Sequence, residues 1–185
     1  MKNLKSILQQ FGLIILLIFL AVQVACDKQA PVTSSEFQEI QENQVVILKS
    51  ANPLRFLRPF YIQKWIDDDG GSIWLGDSLS GKSGLVFPDD ALNDDRLIRF
   101  YWESEGLLQA DFAPEGLNFN RPVYIRLSYL EADLNGINQN RLKIYYYNPQ
   151  TSHWEVIPNS TVHVAEKYVD GYIDHFSRYA IGDEQ

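Results

Sequence analysis

The sequence predicts an all-β fold, an antiparallel β-sandwich, for the larger part of this chain. The clearest sign is the alternation of apolar and polar residues over positions 122–129, where every second side chain points to one face. Similar short segments follow one another, separated by turns such as Asn135-Gly136 and Asp170-Gly171. No long stretch with a helical period follows residue 44. Short alternating segments bounded by turn residues are typical of sandwiches and barrels.

The N-terminus has the pattern of a secretory signal peptide, assigned to residues 1–25. Lys2 and Lys5 form a short basic zone, an almost purely apolar run covers positions 11–22, and small residues follow. The alternative is a single-pass membrane anchor. The apolar run is short for that role, because a spanning helix needs about 20 apolar residues.

Cys26, which directly follows this segment, is the only cysteine of the chain. Val24, Ala25 and Cys26 resemble the lipobox of bacterial lipoproteins, with Gln23 where that family has an aliphatic residue. The resemblance implies cleavage before Cys26 and lipidation of its sulfur and its new amino group. Because stable anchoring takes more than one acyl chain, such a cysteine would hold the protein at a membrane. The expected location is the bacterial cell envelope, on the periplasmic side or the cell surface.

The charge and the cysteine count of the chain exclude some classes of partner and some means of stabilising the fold. The formal net charge is −8, and loss of Lys2 and Lys5 with the signal peptide would make it two units more negative. Such a surface repels nucleic acid and anionic lipid, so neither is an expected partner. With Cys26 lipidated no disulfide can form, and the core has to be held by burial alone. No cofactor is expected.

The chain divides into four parts by pattern. Residues 1–25 are the signal peptide, 26–43 a polar, flexible tether, 44–66 an N-terminal β extension, and 67–185 the sandwich. Within the sandwich, the expected strands cover residues 73–75, 85–87, 97–102, 122–129, 142–147, 154–156, 162–164 and 172–176.

Several spaced motifs over residues 67–182 resemble the ZU-five domain, named for zonula occludens and uncoordinated-five proteins. They are, in order, Gly70-Gly71-Ser72-Ile73, Val86-Phe87-Pro88-Asp89-Asp90-Ala91-Leu92, Asp111-Phe112-Ala113-Pro114-Glu115-Gly116-Leu117-Asn118-Phe119-Asn120-Arg121-Pro122-Val123, Trp154-Glu155-Val156-Ile157-Pro158 and His175-Phe176-Ser177-Arg178-Tyr179-Ala180. Ala113 replaces the usual glycine. The resemblance implies a β-sandwich that serves binding rather than metabolic catalysis, although fold alone does not fix function.

The tripeptide His175-Phe176-Ser177 is the one candidate for covalent chemistry. In some members of the resembled family, His-Phe-Ser is a self-cleavage site. There the serine hydroxyl attacks the preceding carbonyl, and the ester that forms is hydrolysed. That reaction requires a strained Phe176–Ser177 peptide and a base such as His175. The alternative is that Phe176 packs in the core while His175 and Ser177 make hydrogen bonds at a strand edge.

Metal binding is not predicted. The acidic clusters Asp67-Asp68-Asp69, Asp89-Asp90 and Asp94-Asp95 offer hard oxygen ligands for calcium, but none has EF-hand spacing. Solvated aspartates in turns are the alternative. The three histidines, His153, His163 and His175, do not have zinc-ligand spacing, and no second cysteine is present.

Tyrosines are the candidate binding residues. Tyr145 and Tyr147 share one face of their strand, and we expect them, with Tyr124, to offer a surface for a glycan or a protein. The alternative is that one face of this strand is core. The sequence thus predicts a lipid-anchored envelope protein with a binding or structural module, and no metabolic enzyme. Two alternatives stay open, a self-cleaving domain and a carbohydrate-binding module.

Overall fold

The computed structural model describes residues 45–52, 60–79, 81–102 and 106–184. Within these ranges the chain forms two antiparallel β-sheets packed against each other, and it contains no α-helix. The predicted all-β sandwich is therefore confirmed. The signal peptide, Cys26 and the tether over 26–43 lie outside the described residues. No helix in the described part is long and apolar enough to cross a membrane.

The larger sheet has seven strands in the described ranges. They are β1 (Val45–Ile47), β2 (Phe60–Ile66), β5 (Arg96–Trp102), β6 (Gln109–Ala113), β8 (Lys143–Asn148), β9 (His153–Val156) and β12 (Arg178–Glu184). Their order is β2-β5-β6-β12-β8-β9, and β1 pairs with β12. The segment 44–66, which the sequence sets apart as an extension, thus contributes β1 and β2 to the sandwich itself.

The smaller sheet has five strands in the order β10-β11-β7-β4-β3. They are β3 (Gly71–Leu75), β4 (Ser83–Phe87), β7 (Asn118–Ser128), β10 (Thr161–His163) and β11 (Tyr168–His175). A short 3-10 helix, Gln139–Arg141, precedes β8. Because β10 pairs only with the first part of β11, residues 172–175 of β11 lie at an open edge of this sheet.

The core lies between the sheets, where the predicted alternation places its apolar side chains. Val123, Ile125 and Leu127 of β7 are fully buried, whereas Tyr124 and Arg126 between them are only half-buried on the outer face. Removing one such aliphatic side chain from water contributes about 1.5–3 kcal/mol. Burial on this scale accounts for a fold that has no disulfide to hold it.

One ion pair ties the 3-10 helix to the larger sheet. The guanidinium of Arg141 donates two hydrogen bonds, both 2.9 Å long, to the buried carboxylate of Asp183 in β12. These hydrogen bonds and the carboxylate charge raise the pKa of Arg141. A buried carboxylate needs such a partner, because an uncompensated charge in the interior is strongly destabilising.

Candidate functional site

The predicted self-cleavage tripeptide lies at the turn from β11 to β12. Phe176 is 1% exposed, and its carbonyl accepts a 3.1 Å hydrogen bond from the Gly116 N–H. The Ser177 hydroxyl donates to the Tyr147 carbonyl at 2.8 Å. The His175 Nδ1 atom lies 2.6 Å from the Asp174 carboxylate. Among the described residues no hydrogen bond joins His175 to Ser177, so the predicted base and nucleophile do not contact each other.

The three predicted binding tyrosines do not form one surface. Tyr145 and Tyr147 share the outer face of β8, as the alternation predicts, but Tyr145 is only 2% exposed. Its hydroxyl has no hydrogen-bond partner in the described ranges, and burial raises its pKa to about 12. The Tyr147 ring packs edge-on against Trp154, with centroids 5.5 Å apart. Tyr124 belongs to β7 of the other sheet.

The acidic clusters lie in exposed turns. Asp94 pairs with Arg96 at 3.0 Å, and Asp68, through its carbonyl, accepts a backbone hydrogen bond from Asp90. Across the described part of the chain, no group of three or more His, Cys, Asp or Glu side chains is placed to hold a metal ion. Calcium binding therefore gains no support from the geometry of these turns.

A cleft of about 940 Å³ opens between the edge strand β9 and the open edge of β11. Glu155 lines this cleft, and three neighbouring side chains donate hydrogen bonds to it. Its carboxylate accepts hydrogen bonds from the Tyr146 hydroxyl, from the Asn148 amide at 2.6 Å and from the Thr151 hydroxyl at 3.3 Å. The Tyr146 bond is the main cause that lowers the pKa of Glu155 and raises the pKa of Tyr146 to about 12. Both oxygens of Glu155 are thus occupied by the protein itself.

The outer face of the smaller sheet carries an aromatic ladder, formed by His163, Tyr168, Arg126 and Trp74. The Arg126 guanidinium lies 4.0 Å from the centroid of Tyr168 and 5.6 Å from that of Trp74. His163 stacks on Tyr168 with centroids 4.3 Å apart. These cation–π and stacking contacts join four of the five strands of this sheet. The facing sides of the His163 and Tyr168 rings, and the rings of Tyr168 and Trp74 that Arg126 meets, are therefore already in contact within the ladder.

Gly84 explains how the Trp74 indole fits into the ladder. A Cβ at this position would come within 2.7 Å of the indole carbon Cε3 and 2.2 Å of the Ile73 carbonyl. The ring thus lies directly over the glycine backbone of β4. Only a residue without a side chain leaves room for that approach.

The outer face of the larger sheet has a different character at its β2 edge. Side chains from β2 and β5 form a surface that we call the β2 face. Across the two strands Tyr61 lies opposite Tyr101, Gln63 opposite Arg99, and Trp65 opposite Leu97. Trp65 is 66% exposed and Tyr61 is 59% exposed. Tyr61 stacks on Tyr101 with centroids 5.8 Å apart and planes inclined by 26°.

The sequence alone does not identify the β2 face. Tyr61, Gln63 and Trp65 lie at every second position, which indicates that they share one face, because alternate residues of a strand do so. The pattern does not tell which face of a strand meets the core, and only the pairing with β5 shows that these rings point outward.

Comparison with known proteins does not identify a family or a function for this chain. No protein-family model matches the chain, and a search of the curated proteins finds no match. The resemblance to the ZU-five domain therefore stays a prediction that rests on its motifs.

Proposed function

We propose that this protein is a lipid-anchored envelope protein whose β-sandwich is a binding module, and that the β2 face contacts the partner. One observation carries the proposal. Trp65 and Tyr61, the two most exposed aromatic side chains of the described residues, lie on the same face of one strand. Removing large aromatic rings from water on binding is favourable, and exposed patches of this kind mark interaction sites.

The other two surfaces support this choice by contrast. In the cleft, the carboxylate of Glu155 is bound by Tyr146, Asn148 and Thr151. In the ladder, Arg126 lies against Tyr168 and Trp74. A ligand that used the Glu155 carboxylate or the Arg126 guanidinium would have to compete with contacts that the protein already makes. The β2 face keeps more ring surface in water, since Trp65 is 66% exposed and Tyr61 59%.

The anchoring part of the proposal rests on Cys26 and the segment before it. The acidic charge of the chain opposes binding to anionic lipid, so electrostatic attraction does not hold it at a membrane. A lipidated Cys26 would supply the attachment, and the polar tether over 26–43 would separate the sandwich from the bilayer.

Proximity labelling in intact cells tests the binding role. The full chain is fused to a labelling enzyme and compared with its Trp65→Ala and Tyr172→Ala variants. Tyr172 is a suitable control because it is 52% exposed but lies on the other sheet. We expect Trp65→Ala to remove specific labelled neighbours that Tyr172→Ala retains. Identical labelling by all three proteins would exclude the β2 face as the contact surface.

A further inference from the structure

We propose that the β2 face binds a linear polysaccharide chain, with Trp65 and Tyr61 as stacking platforms and Gln63 and Arg99 as hydrogen-bond donors between them. This inference rests on the proposed binding role and names the ligand class of the same surface. Its four principal residues lie on two paired strands, so the sheet itself fixes their relative positions.

The chemistry of the rings suits sugars. The face of an aromatic ring carries partial negative charge, and it attracts the weakly positive C–H groups on one side of a pyranose. The sugar hydroxyls around that contact stay in water or bind polar side chains. Trp65 and Tyr61 offer such faces, and the stacking of Tyr61 on Tyr101 fixes the orientation of its ring.

The spacing favours a chain over a single sugar. Tyr61 and Trp65 are four positions apart on β2, which at about 3.4 Å per residue separates their Cα atoms by roughly 14 Å. A monosaccharide cannot reach both rings, whereas an oligosaccharide lying along the strand can. Gln63 and Arg99 lie opposite each other midway between the rings, where they would meet the hydroxyl groups of the intervening sugar.

A protein is the competing partner, because Trp, Tyr and Arg are all enriched at protein–protein interfaces. The linear arrangement of the β2 face favours a glycan over a protein, since the two rings lie at the two ends of one strand with Gln63 and Arg99 between them. A second copy of the chain is disfavoured, since a two-fold interface centred here would bring the Arg99 guanidinium groups of both copies together.

Affinity electrophoresis tests the inference on the full chain, purified in detergent. Native gels contain hydroxyethyl cellulose, xylan or alginate, and a gel without polysaccharide gives the reference mobility. We expect at least one of the three to retard the wild type. Trp65→Ala and Tyr61→Ala should weaken this binding at least tenfold, while Tyr172→Ala should leave it unchanged. Circular dichroism of each variant checks that its fold is intact.

Two results would overturn the glycan assignment. One is that none of the three polysaccharides retards the wild type. The other is that Trp65→Ala is retarded as strongly as the wild type. If glycan binding is absent but Trp65→Ala still changes the proximity labelling, the β2 face binds a protein and the proposed binding role stands. If gel filtration shows a dimer that Trp65→Ala dissociates, the face joins two copies of this chain instead.

Discussion

Glu155 and Tyr146 form a hydrogen-bonded pair between β9 and β8, and each changes the pKa of the other. The pKa of Tyr146 rises to about 12 from its ordinary value of 10.0. The unfolded chain therefore loses this proton first as the pH rises. The stability that the pair contributes is complete below pH 10 and is lost as the pH rises toward 12.

We predict that Tyr146→Phe flattens the decline in unfolding free energy between pH 10 and 12, the window set by Tyr146. Glu155→Gln should have the same effect, because the hydrogen bond to Glu155 is the largest cause of the shifted pKa. Urea unfolding at a series of pH values measures how steeply the unfolding free energy declines in each variant. Tyr145 also has a pKa of about 12, so part of the slope should survive in both variants. An unchanged slope would mean that the pair does not form in solution.

Among the described residues, no hydrogen bond joins Ser177 to a base that could activate it. The Ser177 hydroxyl donates to the Tyr147 carbonyl, and His175 is bound by Asp174 and packed edge-on against Tyr146. A general base has to reach the nucleophile directly or through one water. We predict that the purified protein stays uncut after long incubation, and that its intact mass after denaturation equals that of its Ser177→Ala variant. A fragment of residues 177–185 in the wild type alone would show that the reaction takes place.

The turn between β11 and β12 joins the two sheets through Phe176. Its ring stacks on Phe112 of the larger sheet at 5.5 Å and meets Phe119 of the smaller sheet edge-on at 4.9 Å. We predict that Phe176→Ala lowers the unfolding free energy by about 3–5 kcal/mol, the range for an aromatic core side chain. Denaturant titration measures the loss. Tyr172→Ala, four residues earlier on the outer face, should cost much less. Equal losses in both variants would contradict the central place of Phe176.

The aromatic ladder connects whole strands, because each of its contacts joins side chains of two different strands. A double-mutant cycle with Arg126→Met and Tyr168→Leu isolates the closest contact, the 4.0 Å approach of the guanidinium to the ring. We predict a coupling of about 0.5–2 kcal/mol, as expected for a cation–π pair that is partly shielded from water. A parallel cycle with Arg126→Met and Tyr61→Leu should give no coupling, since Tyr61 belongs to the other sheet. Additive effects in the first cycle would show that the ladder contributes no pairwise stability.

Period two allowed several strands to be predicted but not all of them. Residues 122–129 and 142–147 were expected as strands, and β7 and β8 cover nearly the same positions. By contrast period two does not predict β12, because its residues are buried on both faces and do not alternate. One of them is Asp183, whose buried carboxylate is paired with Arg141, 42 positions earlier in the chain. Local patterns carry no information about such distant pairing.

The same limit applies to the candidate site. Alternation correctly placed Tyr145 and Tyr147 on one face of β8, yet Tyr145 is buried. On β2, the same kind of alternation leaves Tyr61 and Trp65 in water. Whether a face is covered depends on segments from elsewhere in the chain, and period two does not contain that information.

At the scale of the whole molecule, the proposal joins a binding surface on the sandwich to an attachment at Cys26. The formal charge of −8 means that an anionic bilayer repels the chain, so attachment would depend on lipid rather than on charge. We predict that the wild type extracted from membranes has the intact mass of residues 26–185 plus acyl chains. Cys26→Ser should have the mass of the full chain without lipid, because in the resembled family the cut before the cysteine follows its lipidation. A wash in about 1 M salt, which reduces the screening length to about 3 Å, should not release the wild type. Trp65→Ala should remain with the membranes, because it alters binding and not attachment. A wild type with the mass of the unmodified full chain would indicate that residues 11–22 span the bilayer as an uncleaved anchor.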